Sequence, residues 1–292
     1  MGARGWKTIA WNGLRFEVPG DWDPARIGPR HLLLASEAGP VMEIKWATVQ
    51  GRFSGRRRLR ELARQVGRRG AAFRETALPE PWRPFLSGFE AAGFQWDGGG
   101  ERAVGALLYC PDCRTASMVQ FLGPAAARNA ARVLASLRDH RGDGKVAWAL
   151  YDVAALLPRD YVLGRHRFEA GRFALEFMGR GRRLTLYRWA PAAGLLQDRS
   201  LAAFAETAAG GVRMALRPLT SAGHPAVEGR DPAADRPGGR WLARLGLSWF
   251  RRLRVWHLAD RNRILGVRLE GRRPIDDAEM NAVSESYGVA DE

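Results

Sequence analysis

The chain has 292 residues, 46% of them hydrophobic and 10% aromatic, enough apolar material for packed interiors and too much for a disordered polymer. Lys and Arg number 46 against 31 Asp and Glu, a formal net charge of +15, so the surface attracts polyanions, acidic proteins or anionic lipids without choosing among them. Arginine or glycine breaks every apolar run well short of the roughly 18 residues of a membrane span. The start, Met1 to Trp6, has no apolar signal core and carries Trp6 where a myristoylation motif wants serine or threonine. A cytoplasmic protein, at most peripheral to a membrane, is expected. Arginine supplies nearly all the positive charge, a preference that GC-rich codon usage explains; the excess over acidic residues calls for a partner.

In chain order, the alternation of Leu14, Phe16 and Val18 predicts a strand stopped by Pro19 and followed by Trp22. Strands are expected over residues 30–36 and 41–48, joined by Gly39-Pro40. Leucine and alanine at helical spacing predict a helix over 55–68. A loop-rich connection containing Asp97-Gly98-Gly99-Gly100 leads to a strand pair, 103–109 and 116–122. A helix over 125–138, opened by Pro124, ends the first half.

The second half repeats this order at an offset of about 140 residues. Leu156 and Leu157 run into Pro158-Arg159-Asp160-Tyr161. Strands are expected over 172–178 and 183–189, turned by Gly179-Arg180-Gly181, with a helix over 198–209. A strand pair over 245–257 and 263–270 and a helix over 276–287 complete it. The run Asp139-His140-Arg141-Gly142-Asp143-Gly144 marks the boundary, giving two α+β repeats, 1–141 and 142–292, with antiparallel sheets and helices packed on them.

The opening Leu14-Arg15-Phe16-Glu17-Val18-Pro19-Gly20-Asp21-Trp22 and the closing helix with Val133 to Leu137, echoed by Val283 to Tyr287, resemble the Mog/PsbP-like group of small α/β/α sandwiches. The second copy departs from the pattern with Tyr161 in place of Trp. The resemblance implies a duplicated Mog/PsbP-like sandwich and a non-catalytic binding module, since such domains act as accessory subunits, GTPase regulators or secretion chaperones. A fused duplicate is similar to a homodimer of such domains made from one chain, a pseudo-dimer.

Cys110-Pro111-Asp112-Cys113 falls at the turn of the first strand pair, not at the helix N-terminus that activates a redox Cys-x-x-Cys. Three readings stand: a structural turn with free or incidentally paired thiols, which is preferred; a zinc half-site completed by a histidine or a partner chain; and a redox pair. His31, His140, His166, His224 and His257 show no ligand spacing, and neither a nucleophile elbow nor a phosphate loop is present. No cofactor is expected, and no enzyme.

Two arginine clusters remain. Arg56, Arg57, Arg58, Arg60 and Arg64, with Arg68 and Arg69, lie on the first long helix. Arg251, Arg252, Arg254 and Arg263 lie on the last strand pair among Trp249, Phe250 and Trp256. The leading expectation is a binding protein, an accessory, chaperone or assembly subunit, that uses these surfaces on an acidic or membrane-associated protein. The alternative is nucleic acid, with the aromatics stacking on bases. A zinc or redox role for Cys110 and Cys113 is the remote third.

Overall fold

The computed structural model describes residues 5–140, 142–179, 181–208, 210, 214–231 and 249–290. Positions 141, 180, 209 and 245–248, which the expected boundary, turn, helix and strand include, lie outside them. The chain divides into two compact units: Met1–Asp143 with Ala147–Asp152 and Ala290–Glu292, and Gly144–Val146 with Val153–Val289.

In the first unit, β1 (Trp6–Trp11) and β2 (Leu14–Pro19) form a hairpin, and Ala10 of β1 also pairs with Ala149 of β10 (Lys145–Leu150). A meander follows: β3 (Asp23–Gly28), β4 (His31–Ser36) and β5 (Gly39–Thr48). Helix α1 (Gly55–Gly67) leads to β6 (Ala72–Thr76), a 3₁₀ segment (Glu80–Leu86), β7 (Glu90–Gly98), β8 (Glu101–Cys110), β9 (Thr115–Leu122) and α2 (Gly123–Ser136). Strands β3 to β9 make one antiparallel sheet in the order β3-β4-β5-β9-β8-β7-β6. Two meanders therefore meet where β5 pairs with β9, from Met42 opposite Phe121 to Thr48 opposite Thr115. The turn between β7 and β8 uses Gly99 and Gly100 at φ 63° and 81°, the left-handed pair that a tight hairpin requires.

Side-chain alternation assigns the faces of this sheet. Leu59 and Leu62 of α1 pack with Phe94, Leu107 and Met118. Phe121, odd where Met118 is even, meets Trp82 of the 3₁₀ segment edge-on, and α2 packs on that segment, on β2 and on β8 and β9.

The second unit holds β11 (Val153–Pro158), β12 (Val162–Glu169), β13 (Arg172–Gly179), β14 (Arg182–Trp189), α3 (Ala192–Leu196), α4 (Leu201–Ala208), β15 (Ala215–Ser221), β16 (His224–Arg230), β17 (Phe250–Leu258), β18 (Arg263–Gly271), α5 (Asp277–Ser286) and β19 (Gly288–Val289). Its large sheet runs β12-β13-β14-β18-β17-β16-β15, the same order as the first, and β11 pairs with β19. Helix α4 packs on β16 and β17, while α5 packs on β11 and β18.

The expectation of an α+β Mog/PsbP-like sandwich is overturned. The described residues are 52% strand and 22% helix, arranged in three antiparallel sheets, which is richer in β-structure than such a sandwich. The excess lies in strands that hydrophobic alternation does not reveal. β3, β6, β12 and β15 are sheet edges with mostly exposed side chains, and Pro24 and Pro218 sit on two of them, where a missing N–H breaks no ladder.

Each seven-stranded sheet also has a glycine packed beneath an aromatic ring. A Cβ on Gly105 of β8 would stand 2.3 Å from Phe94 Cζ and 2.6 Å from the Val119 carbonyl; one on Gly266 of β18 would stand 2.8 Å from the Trp189 ring. Gly105→Ala is therefore expected to lower unfolding free energy by about 1–3 kcal/mol through overpacking, read from the urea midpoint. Gly88→Ala, which meets open space, is the control and leaves the midpoint within about 0.5 kcal/mol.

Candidate metal centre and arginine face

The β8–β9 ladder ends with Cys110 opposite Thr115, so Pro111, Asp112, Cys113 and Arg114 form the turn, closed by Arg114 at φ 57°. Cys110 is buried at the end of β8 and Cys113 is half-buried. After α2 the chain extends through Leu137, and Arg138 pairs with Arg15 of β2 through backbone hydrogen bonds of 2.7 and 2.8 Å. That bridge delivers the next two residues, Asp139 and His140, to the cysteine turn.

Four donors meet there. Cys113 Sγ lies 3.1 Å from Asp139 Oδ2, Cys110 Sγ lies 3.8 Å from His140 Nδ1, and His140 Nδ1 lies 2.8 Å from Asp139 Oδ1. All four ligand atoms fall within 4.8 Å of one another. The sequence placed both cysteines but assigned Asp139 and His140 to the linker, because neither stands at ligand spacing from them. The adjacent Asp-His pair after a helix was the only hint.

Burial raises the Cys113 thiol pKa to about 12, and Asp139 adds to the rise through its hydrogen bond and charge; hydrogen bonds from Thr115 to the sulfur oppose it. A thiol pKa raised in this way makes Cys113 a poor attacking group, which counts against it in the redox reading. A Cys–His–Asp relay fares no better. Asp139 meets the same ring nitrogen that faces Cys110, whereas orienting a general base takes a carboxylate at the far nitrogen. The cluster is a set of donors converging on one point.

The arginine clusters have opposite fates. On α1, Ser54 caps the helix by accepting a hydrogen bond from the Arg57 N–H, Leu59 is buried, and Arg56, Arg57, Arg58, Arg60 and Arg64 are all exposed; Arg68 and Arg69, expected on the helix, are exposed just past its end. Glu61 pairs with Arg57 and Arg58 at 3.0 and 2.9 Å and is the sole acidic residue of the helix.

The second cluster is largely structural. Glu228 of β16, fully buried, accepts hydrogen bonds from Arg252 at 2.6 Å, Arg254 at 2.7 and 3.0 Å and Arg217 at 2.8 Å. Arg252 reaches on to Asp277 and the Ile275 carbonyl, and Arg254 to Asn281, tying β16 and β17 to α5. Arg251 bonds Asp231 and Glu270. Arg263 donates to the carbonyls of Arg261 and Asn262, and Trp256 is 1% exposed. The expected second binding surface is thus mostly interior: buried Arg252, Arg254 and Trp256 reach neither phosphate nor base. A cavity of about 810 Å³ in the same unit lies beside α5, and Arg182 in its wall is held by Glu279 and the carbonyls of Arg273 and Pro274.

No protein-family model matches this chain, and no curated protein does. A crystal structure from Bacteroides thetaiotaomicron is similar at 15% identity and a TM-score of 0.31, over 52% of this chain and 53% of that one. The chain thus spans about half the length of that relative. The likeness does not show a Mog/PsbP-like classification.

Burial raises the Glu228 pKa, but hydrogen bonds from Arg254, Arg252 and Arg217 outweigh it and lower the value from 4.5 to about 2. A depressed carboxylate pKa stabilises the fold above the unfolded value, and this contribution is lost as pH falls from 4.5 through about 2. Its size is on the order of 3 kcal/mol. Glu228→Gln is expected to cost about 3–5 kcal/mol at neutral pH, by stranding buried guanidinium groups, and to shrink the acid-induced loss of stability. Urea unfolding at neutral and acid pH reads both effects.

Proposed function

We propose that this chain is a non-catalytic binding protein, cytoplasmic or at a membrane surface, that engages an acidic protein partner through the arginine face of α1. The observation that carries this reading is the placement of charge on that helix. Arg56, Arg57 and Arg58 occupy its first turn, where no acidic residue stands. Cations at a helix start oppose the macrodipole at roughly 0.3–1 kcal/mol each. Helix stability alone does not favour arginine there, whereas an anionic partner gains both the guanidinium groups and the positive end of the helix.

A protein partner is favoured over nucleic acid because stacking requires exposed aromatic rings beside the arginines. Among the described residues the exposed large apolar side chains are Phe85, Tyr151, Val162 and Met178, and none belongs to α1. In the second unit the connection between the two meanders carries α3 and α4, nearly neutral segments, so the proposed surface belongs to the first copy of the shared strand order. Among the described residues no helix is long and apolar enough to cross a membrane.

The test is affinity capture from native extract after nuclease treatment, comparing the wild-type chain with Arg56→Glu, Arg60→Glu, Arg64→Glu combined. These residues point outward and leave the Leu59 contact intact, so the urea midpoint is expected to hold or rise slightly as the dipole clash is relieved. Capture of an acidic protein by the wild type, reduced at least tenfold in the triple variant, is expected. Equal capture by both chains, or capture that disappears with nuclease, would sink the reading.

A further inference from the structure

We propose that Cys110, Cys113, Asp139 and His140 form a structural zinc site that clamps the β8–β9 turn to the segment leaving α2. This site is separate from the α1 surface and does not rest on the function proposed for it.

The geometry is close to what zinc demands. Bond lengths near 2.3 Å to sulfur and 2.0–2.2 Å to nitrogen or oxygen put the donors of a tetrahedral site roughly 3.3–3.8 Å apart. The observed separations of 3.8, 3.1 and 2.8 Å, with all four atoms inside 4.8 Å, need shifts of no more than about 1 Å to close on an ion. The donor set, two sulfurs with one imidazole and one carboxylate, selects zinc over magnesium or calcium, which take oxygen ligands. Four protein donors leave no open position, the mark of a structural site.

The second copy shows that the cysteines are not needed to build the turn. There, Leu258 pairs with Arg263, and Ala259, Asp260, Arg261 and Asn262 make a turn of the same length, closed by Asn262 at φ 52°. The same hairpin therefore forms without sulfur. Cys110 and Cys113 are surplus to its folding and are accounted for by what they face, the Asp139 carboxylate, whose side chain is 5% exposed, and the His140 ring.

Loading breaks two S–H bonds, forms two Zn–S bonds and releases two protons to solvent; no electron moves.

The test uses the full chain, purified under reductant without chelator. Elemental analysis is expected to give about one zinc per chain, and the stripped protein is expected to take up one cobalt ion with the intense visible bands of tetrahedral thiolate coordination. His140→Ala changes an exposed side chain outside every helix and strand, and Cys113→Ser changes a turn residue, so both report on ligation without disturbing the core. Each is expected to weaken metal affinity at least tenfold. Stripping zinc is expected to lower the wild-type unfolding midpoint and to leave the Cys113→Ser midpoint unchanged. Zinc content below roughly 0.1 per chain together with no cobalt spectrum would overturn the proposal, as would full metal affinity in both variants.

Discussion

The structure depends on one long-range pairing, made once in each unit. The other neighbours in the large sheets follow one another in the chain, and those joined by tight turns register themselves through turn geometry. Strands β5 and β9 are different: Met42 must find Phe121 across α1, the 3₁₀ segment and three further strands. In the second unit β14 and β18 make the equivalent contact, with Leu186 opposite Val267. Closing such a loop costs chain entropy before any contact rewards it. The central strands accordingly carry the buried Met42, Ile44, Val119 and Phe121 in one unit and Leu184, Leu186, Val267 and Leu269 in the other. Once β9 is in place, α2 has its site on the sheet, and the Arg15–Arg138 bridge fixes where the chain goes next.

Arginine serves two purposes here, and burial separates them. A guanidinium is never deprotonated, so one that enters the interior must bring its counter-charge with it. Glu228 plays that part for Arg252 and Arg254, each on β17 and each reaching across to α5. The first unit has a smaller relative of this network, in which Glu43 meets His31, Lys45 and Gln120, and Trp96 bonds the same glutamine. On α1 the arginines face water, where solvent and salt screen them and Glu61 pairs with only two of them, Arg57 and Arg58. The number of arginines in the second unit therefore overstates its attractive surface, because Arg252 and Arg254 are neutralised inside it.

The cysteine cluster distinguishes two units whose large sheets share one strand order. Both copies close the β-hairpin with a four-residue turn whose last residue is left-handed, Arg114 in one and Asn262 in the other. Only the first places sulfur in it, and only there does an Asp-His pair follow the closing helix. In the second copy the corresponding helix, α5, runs into Tyr287, whose hydroxyl bonds the Tyr187 carbonyl, and then into β19. The cysteine cluster in the first unit and a tyrosine hydrogen bond in the second both lie at the exit of the closing helix.

Periodicity and turn chemistry along the sequence were sufficient for the central strands, the closing helices and the repeat of their order, because each of these buries one face and writes that burial as spacing. Leu14, Phe16 and Val18, or Leu59 and Leu62, are legible for this reason. Edge strands such as β6 and β15 bury little, so their side chains carry no such record; β-content was underestimated and the Mog/PsbP-like sandwich did not hold. The sequence also identified Cys110 and Cys113 as the only chemically distinctive pair, and the arginines of α1 as an exposed face. It was silent on Asp139 and His140 and on the burial of Arg252 and Arg254, since both depend on which segments meet in space. Spacing along a chain reports local geometry. Whether an arginine finds solvent or Glu228, and whether a histidine after a helix reaches a thiol beyond a hairpin, is decided only when β5 and β9, or β14 and β18, have paired.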